Sequence, residues 1–366
     1  MKNKSVALGD KIPFWHFDQG MMVYSDGSLG GGFKLSGLDI DCLPVEDINN
    51  FTRQIENILI SAEEGLRLQL FYRLTPKVSE LLKEHEAIST EAPDVYKSVA
   101  EARLNFIKEN ESKNAYFVPE YFLFIRSRAF NYRKQKLWES PKKFETVTHE
   151  EYQLHREKFT RALKQVESSL VGTKLSPQKI NESEWFNLCF DYLNLSRLEK
   201  HGRPELRDDK ELFSPPLLDQ LTLSDVEVFR DHLRVGDSLF RTITMKTLPE
   251  GSTYSSMIED LTTSLPFHFW ISQNIQILDQ TKEREKLELK RRVAHSMASG
   301  AQNVSDLESE SKLSDIEGLL RELMEGSQRL VSMDFTVIIW GATKDELNDK
   351  SDEILKAFRS MARLKE

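Results

Sequence analysis

Apolar residues at Ile48, Phe51, Ile55, Ile58, Leu59 and Ala62 recur at helical spacings, drawing one stripe along a helix that Pro44 opens and Gly65 ends. Ahead of it, residues 20–25 and 32–40 read as two strands joined by the turn Asp26-Gly27-Ser28. A strand is expected over 66–74, then a long polar helical stretch over 77–111 interrupted near Pro93, then a strand over 116–125. The same succession returns later in the chain. Strands at 228–235 and 239–247 flank Gly236-Asp237-Ser238, and a helix after Pro249 carries Tyr254, Met257, Ile258, Leu261 and Leu265. A strand over 267–277 leads into helical residues 279–331 with one break, followed by a strand over 333–340 and a helix over 343–364.

Laid side by side, LSGLDIDCLP (35–44) and FRTITMKTLP (240–249) share apolar positions and the final Leu-Pro, and DGSL (26–29) answers GDSL (236–239). Leu-Pro before a helix is common, but the agreement in element order favours a duplicated unit. Between the copies, Tyr152, Phe159, Leu163, Val166 and Leu170 stripe one helix, and Trp185, Leu188, Cys189 and Tyr192 stripe another. Pro204, Pro215 and Pro216 with a run of charges mark a linker. The expected organisation is a tether (1–13), a first unit (14–145), a helical connector and linker (146–226), and a second unit (227–366) with a helical arm at 279–331. The fold class is α+β: two tandem ββαβαβα-like units whose mixed sheets are covered by helices on one face, plus the connector.

Composition narrows the function classes. Hydrophobic residues make up 39% of 366 and include 21 Phe, enough to bury a sizeable core rather than remain disordered. Fifty Lys and Arg against 59 Asp and Glu give a net charge of −9, a field that opposes wholesale binding to nucleic acid or anionic lipid while leaving room for a local basic patch. Two cysteines, Cys42 and Cys189, are too few for a disulfide framework and suit a reducing compartment. The N-terminus lacks the apolar core of a signal peptide, and no apolar run approaches the roughly 20 residues that span a bilayer. A soluble, cytoplasmic chain is expected.

Catalytic signatures are hard to find. A phosphate-binding loop needs G-x-x-x-x-G-K-[ST] between a strand and a helix, so that backbone N–H groups and the Lys cradle the phosphates. The nearest segment is GSLGGGFK (27–34), in which Phe33 separates the last Gly from Lys34, Leu35 replaces the hydroxyl, and a strand follows. It reads as a glycine-rich hairpin. His149 and His155 are six apart where a helical zinc pair needs four, and His268 sits in an apolar strand where a core histidine is the usual case. Asp39 and Asp41 fit a solvated strand face. No catalytic residue, metal ligand or cofactor site is assigned, and the chain is expected not to be an enzyme. A triad assembled in space, or a nucleotide site without a phosphate loop, stays open as a third class.

Two segments look more like contact surfaces. Between 126 and 143, Arg126, Arg128, Arg133, Lys134, Lys136, Lys142 and Lys143 face one acid, Glu139, with Phe130, Tyr132 and Trp138 interleaved. Basic groups pair with phosphates while aromatics stack on bases or sit at a headgroup boundary, so this patch suits nucleic acid or membrane. A solvated strand exit with its aromatics folded back is the preferred reading. The second segment is 279–331. Its first half has a thin stripe of Leu287, Val293 and Met297 among dense charge that includes Arg291 and Arg292. Leu313, Ile316, Leu319, Leu320, Leu323 and Met324 stripe the return helix. Two antiparallel helices with a narrow seam would protrude as an arm, and a crossover packed on the sheet fits the same pattern. The arm is the preferred docking candidate.

The opening IPFWHFDQGMMVYSDGSLGGGFKLSGLDID, the strand pair RVGDSLFRTITMKTLP and the helix KRRVAHSMASGAQN together resemble the N-terminal region of the TraC-type conjugative ATPases of type IV secretion systems. The likeness covers about residues 10–366 and rests on structural patterns rather than catalytic signatures. It implies a cytoplasmic module, peripheral at the inner membrane, that contacts inner-membrane machine components and supports assembly into hexamers. In the family an ATPase domain follows, bearing the phosphate loop, so ATP and Mg²⁺ are expected only there. This sequence stops at Glu366, before any matching position, and no catalytic residue carries over. The expected function is a non-catalytic assembly and docking module, the alternative being a nucleic-acid or membrane-surface binder that uses 126–143.

Overall fold

The computed structural model describes residues 8–40, 43–76, 78, 82–83, 86–87, 93–113, 115–129, 148–207, 215–246, 257–300, 307–324 and 328–363. Within them the first strands are β1 (Phe14–Asp18), β2 (Met21–Tyr24) and β3 (Leu29–Leu35), followed by α1 (Val45–Ser61), β4 (Arg67–Thr75), α2 (Asp94–Ser112) and β5 (Val118–Arg126). The middle of the chain supplies α3 (His149–Val171), β6 (Gln178–Lys179), α4 (Glu182–Leu193), α5 (Leu195–His201) and α6 (Leu217–Leu221). The last part forms β7 (Val226–Val228), β8 (Leu233–Val235), β9 (Ser238–Thr244), α7 (Glu259–Thr263), β10 (Trp270–Ile277), α8 (Gln280–Gly300), α9 (Leu307–Met324), β11 (Val331–Gly341) and α10 (Lys344–Arg363).

Local chemistry accounts for the boundaries. Positive φ at Gly27 (74°) closes the β2–β3 turn, where the Gly27 amide donates to the Tyr24 carbonyl at 2.9 Å. Pro44 stands before α1 with Glu46 and Asp47 in its first turn, favourable charges at a helix start. Thr148 with Glu151 and Asn181 with Glu184 form capping boxes that start α3 and α4.

The fold is mixed α and β, as the patterning predicts, but the sheet is a single one. Its order is β1-β2-β3-β5-β4-β10-β11-β9-β8-β7, with β6 added beside β3. All its pairings are antiparallel, not mixed. At its centre β4 pairs with β10 from Arg67↔Gln276 to Arg73↔Trp270. On either side of that pair the order reads alike, β4-β5-β3-β2 one way and β10-β11-β9-β8 the other.

Both faces of the sheet are covered, not one. On the first, Phe33, Leu68, Leu123, Ile125 and Ile275 meet Ile58 of α1 and Phe159, Leu163 and Val166 of α3. Farther along that face, Ile271, Val337 and Ile339 meet Leu261 of α7 and Leu347 and Ile354 of α10. The opposite face carries Met22 and Phe122 under Trp185, Phe186 and Phe190 of α4 and Leu217 and Leu221 of α6. The middle segment expected to act as a connector thus supplies a third layer, because strand side chains alternate and the second apolar face must also leave water. Two further expectations change. Phe14–Asp18, given no strand within the expected first unit, forms edge strand β1, and the strand expected over 228–235 folds into the β7–β8 hairpin, where the Phe229 amide donates to the His232 carbonyl at 3.0 Å. The helix after Pro249 is described only as α7, with residues 247–256 outside the described set.

Candidate functional site

The segment expected to be an arm forms two helices, α8 and α9, that pack on each other and, among the described residues, not extensively on any other element. At 1.5 Å per residue, the 21 residues of α8 run about 30 Å. Its start is fixed by Asp279, whose carboxylate accepts from the Lys282 amide at 3.2 Å and whose carbonyl accepts from the Glu283 amide at 3.0 Å. Hydrogen bonds from Lys282, the largest influence, and the more distant Arg128 charge hold the Asp279 carboxyl below its ordinary range.

The root of the arm is a compact hydrogen-bonded knot. The Gln280 side chain donates to the carbonyls of Leu278 (2.8 Å) and Leu330 (2.9 Å) and accepts from the Leu330 amide (2.8 Å), so one amide holds both ends of the excursion together. Arg284 donates to the Leu323 carbonyl at 3.0 Å, bridging α8 to α9. Arg329 donates to the Ala62 carbonyl, and the Gly65 amide donates to the Ile277 carbonyl at 2.8 Å, which tie the root to the loop after α1. A root satisfied this fully aims the helices in one direction.

The sequence reading places Leu287, Val293 and Met297 in one stripe, and the structure separates them. Leu287 is half-buried toward α9, whose Leu320 and Leu323 are buried, whereas Val293 and Met297 join Leu289 on an exposed line. The reason is angular: at about 100° per residue, positions 287 and 293 lie some 120° apart, while 289, 293 and 297 advance by only about 40° each. Lys290 and Arg292 are exposed on the two sides of that line, each within about 60° of its nearer edge, whereas Arg291, also exposed, stands about 160° from Val293 on the far side of the helix. Arg292 reaches Glu288 at 3.8 Å. Lys290, Arg291 and Arg292 follow one another with no acid between 289 and 300. The arm therefore presents an apolar line, Leu289–Val293–Met297, flanked by Lys290 and Arg292. Leu289 was missed although its i, i+4, i+8 spacing was legible.

The basic patch fares differently. Arg133, Lys134, Lys136 and Trp138 lie outside the described residues, as do Phe130, Tyr132, Lys142 and Lys143. Of its two described members, Arg126 is committed internally. Its guanidinium donates to Asp26 (2.7 Å) and Ser28 (2.8 Å) and lies 3.9 Å from the centre of the Tyr24 ring. Burial raises the Asp26 carboxyl, but hydrogen bonds from Ser28 and the Arg126 charge outweigh it and hold Asp26 below its ordinary range. Arg128 is exposed and close to where a Gly65 Cβ would stand, which brings it to the root of the arm.

The glycine run has a packing explanation. A Cβ on Gly31 would come within 2.6 Å of Leu163, one on Gly30 within 2.8 Å of Tyr24, and one on Gly32 within 2.8 Å of Phe124. Glycine lets α3 and two aromatic rings lie directly on β3, whose Gly30–Leu35 stretch pairs with β5. His155 and His268 are both half-buried, and burial pushes both imidazoles below their ordinary range. His155 meets the Ser127 hydroxyl at 3.1 Å and His268 the Tyr116 carbonyl at 2.8 Å, both structural contacts. Burial pushes the Cys189 thiol up to about 12, far from a reactive thiolate. Among the described residues no group of three or more His, Cys, Asp or Glu could hold a metal ion, and no helix is long and apolar enough to cross a membrane.

A buried ionic knot supports the third layer. Asp191 of α4 accepts from Arg203 at 2.6 Å through both carboxylate oxygens and from Arg73 at 3.1 Å, while Arg73 also meets Glu120. Two guanidiniums on one buried carboxylate clamp α4 over β4 and β5.

Comparison with known families decides the wider identity. The family model described as TraC protein matches residues 11–364, almost the whole described architecture from β1 to α10. The chain belongs to the TraC protein family. That membership gives this TraC-family chain a conjugative transfer, type IV secretion role. No curated protein matches the sequence.

Proposed function

We propose that this TraC-family chain is an assembly and docking module of a conjugative transfer machine, with the α8–α9 arm as its contact to inner-membrane components. The observation that carries the reading is the arm itself. It is anchored at its root by Gln280, Arg284 and Arg329, packs extensively only on itself among the described elements, and leaves Leu289, Val293 and Met297 exposed beside Lys290 and Arg292. An exposed apolar line flanked by one sign of charge is the pattern of a surface that meets a partner of opposite charge. The partner chemistry that fits is an amphipathic segment with acidic flanks. Peripheral residence at the inner membrane and assembly into hexamers belong to the same reading, and no cofactor is required of this chain.

Co-purification with the inner-membrane components of the same transfer system tests it. The chain is retained, and both deletion of 301–312 and the pair Lys290→Glu, Arg292→Glu abolish retention while the melting temperature holds. Absence of retention by the unaltered chain overturns docking, and retention by the deletion variant moves it away from the arm. The alternative through 126–143 loses one of its members, since Arg126 is paired with Asp26.

A further inference from the structure

The polar stretch between β4 and β5 carries a second uncovered surface. One face of α2, with Ala100, Leu104 and Ile107 half-buried, is the side on which Glu111 accepts from the Val78 amide at 2.8 Å, and Lys108 pairs with Glu86 at 2.8 Å. A different face is exposed throughout: Val95 is 80% exposed, Val99 67% and Phe106 64%, with Ala102 between them. These four positions, spaced four, three and four, fall within an arc of about 60°. α2 packs extensively on no other named element, so nothing described covers that stripe.

The sequence of the stripe points to its occupant. It reads Val, Val, Ala, Phe, and its spacing is the same from either end. Against a second α2 laid antiparallel, Val95 opposes Phe106 and Val99 opposes Ala102, so each contact joins a larger side chain to a smaller one and the facing layers interdigitate. Laid parallel, Phe106 meets Phe106 and Ala102 meets Ala102, which leaves a bulge beside a gap. The antiparallel register also sets Tyr96, 64% exposed, beside Arg103 of the other copy, a cation–π arrangement. Between 95 and 111 the helix holds Lys97, Arg103 and Lys108 against Glu101, Glu109 and Glu111, a balance that gives no pull toward an anionic lipid surface.

We propose that α2 is a self-association surface through which two copies of this chain pair antiparallel about a two-fold axis. A contact about 17 Å long, from 95 to 106, lies at the small end of specific interfaces, so the dimer is a weak one with a dissociation constant on the order of micromolar. The contact does not depend on the arm, and each reading can fail alone.

Sedimentation velocity of the whole chain from about 1 to 200 μM brackets that affinity. The unaltered chain passes from monomer to dimer, whereas Val99→Glu and Phe106→Glu, each at an exposed position, keep the melting temperature and weaken association at least about 100-fold. In a Cys42→Ser, Cys189→Ser background, a Val99→Cys copy mixed with an Ala102→Cys copy forms a disulfide under mild oxidation, and Val95→Cys alone does not. A monomer at every concentration, a dimer indifferent to both glutamates, or a Val95–Val95 disulfide overturns the proposal. So does binding to neutral or anionic vesicles that Val99→Glu abolishes in a chain that does not dimerise, since the stripe is then a membrane surface.

Discussion

The layered body and its two excursions spend apolar side chains to opposite ends. In the body, Phe33, Val337, Phe186 and Leu261 all leave water as helices close on both faces of one sheet. In the excursions, α2 between β4 and β5 and α8–α9 between β10 and β11, comparable residues stand in solvent: Val95, Val99 and Phe106 on one, Leu289, Val293 and Met297 on the other. Each excursion still closes one face internally, α2 against the stretch near Val78 and α8 against α9. What is left over is a single stripe in each case, too ordered in spacing to be scattered surface apolarity. Body residues carry stability, and excursion residues are free to carry contacts.

That division can be broken by substitution. The largest loss is expected at the ionic knot, where Asp191→Ala removes the carboxylate that Arg203 grips through two hydrogen bonds and leaves Arg73 with Glu120 alone, and costs about 3–5 kcal/mol in chemical denaturation. Gly31→Val comes next, at about 2–3 kcal/mol, because a Cβ there would press on Leu163 at 2.6 Å and α3 would have to lift. Leu323→Ala, at the buried foot of α9, should cost about 2 kcal/mol locally. Hydrogen exchange should then rise across 280–324 and stay unchanged in β4 and β10. Lys290→Glu with Arg292→Glu should change stability by less than about 0.5 kcal/mol, as exposed sites do. A large global loss from that pair would erase the contrast.

A pH series sharpens it from the other side. The imidazoles of His155 and His268 are held below their ordinary range in the fold, so below about 6.5 the unfolded chain binds protons that the body does not. Their contribution is complete above that pH and is lost as the pH falls below it. The urea midpoint should therefore hold near pH 7 and decline between 6.5 and 5, with His268→Gln flattening the slope. Acid loss from paired carboxylates such as Asp231, held down to about 2 by hydrogen bonds from His232 and Lys344, belongs to much lower pH.

Much of this plan is legible in the chain. The stripes of α1, α3 and α4, the closing helix α10, and the apolar runs of β4, β5, β10 and β11 are local patterns, and each falls within a few residues of its expected place. The joining of two units into one sheet is not local, because β4 and β10 are brought together across about two hundred residues by register alone. Edge strand β1 escaped because Phe14–Asp18 is short and follows a polar start. The commitment of Arg126 to Asp26 and Tyr24 is a pairing across a hundred positions that no spacing rule reveals. At the arm, the charge and the hairpin were readable and the direction of each stripe was not, since an uneven set of apolar residues needs its partner helix to say which line faces in.

The antiparallel seam between β4 and β10 has a mechanical consequence. The strand that leads into α2 ends where its neighbour begins, so the excursion after β4 and the one after β10 leave from opposite rims of the sheet. The eight residues of β10 set the separation of those rims at about 26 Å. The molecule is thus built as a strut with a head at each rim. Two struts joined at their α2 heads would hold their arms at the far extremities, a bivalent span whose grip on a repeating scaffold would exceed that of either arm alone.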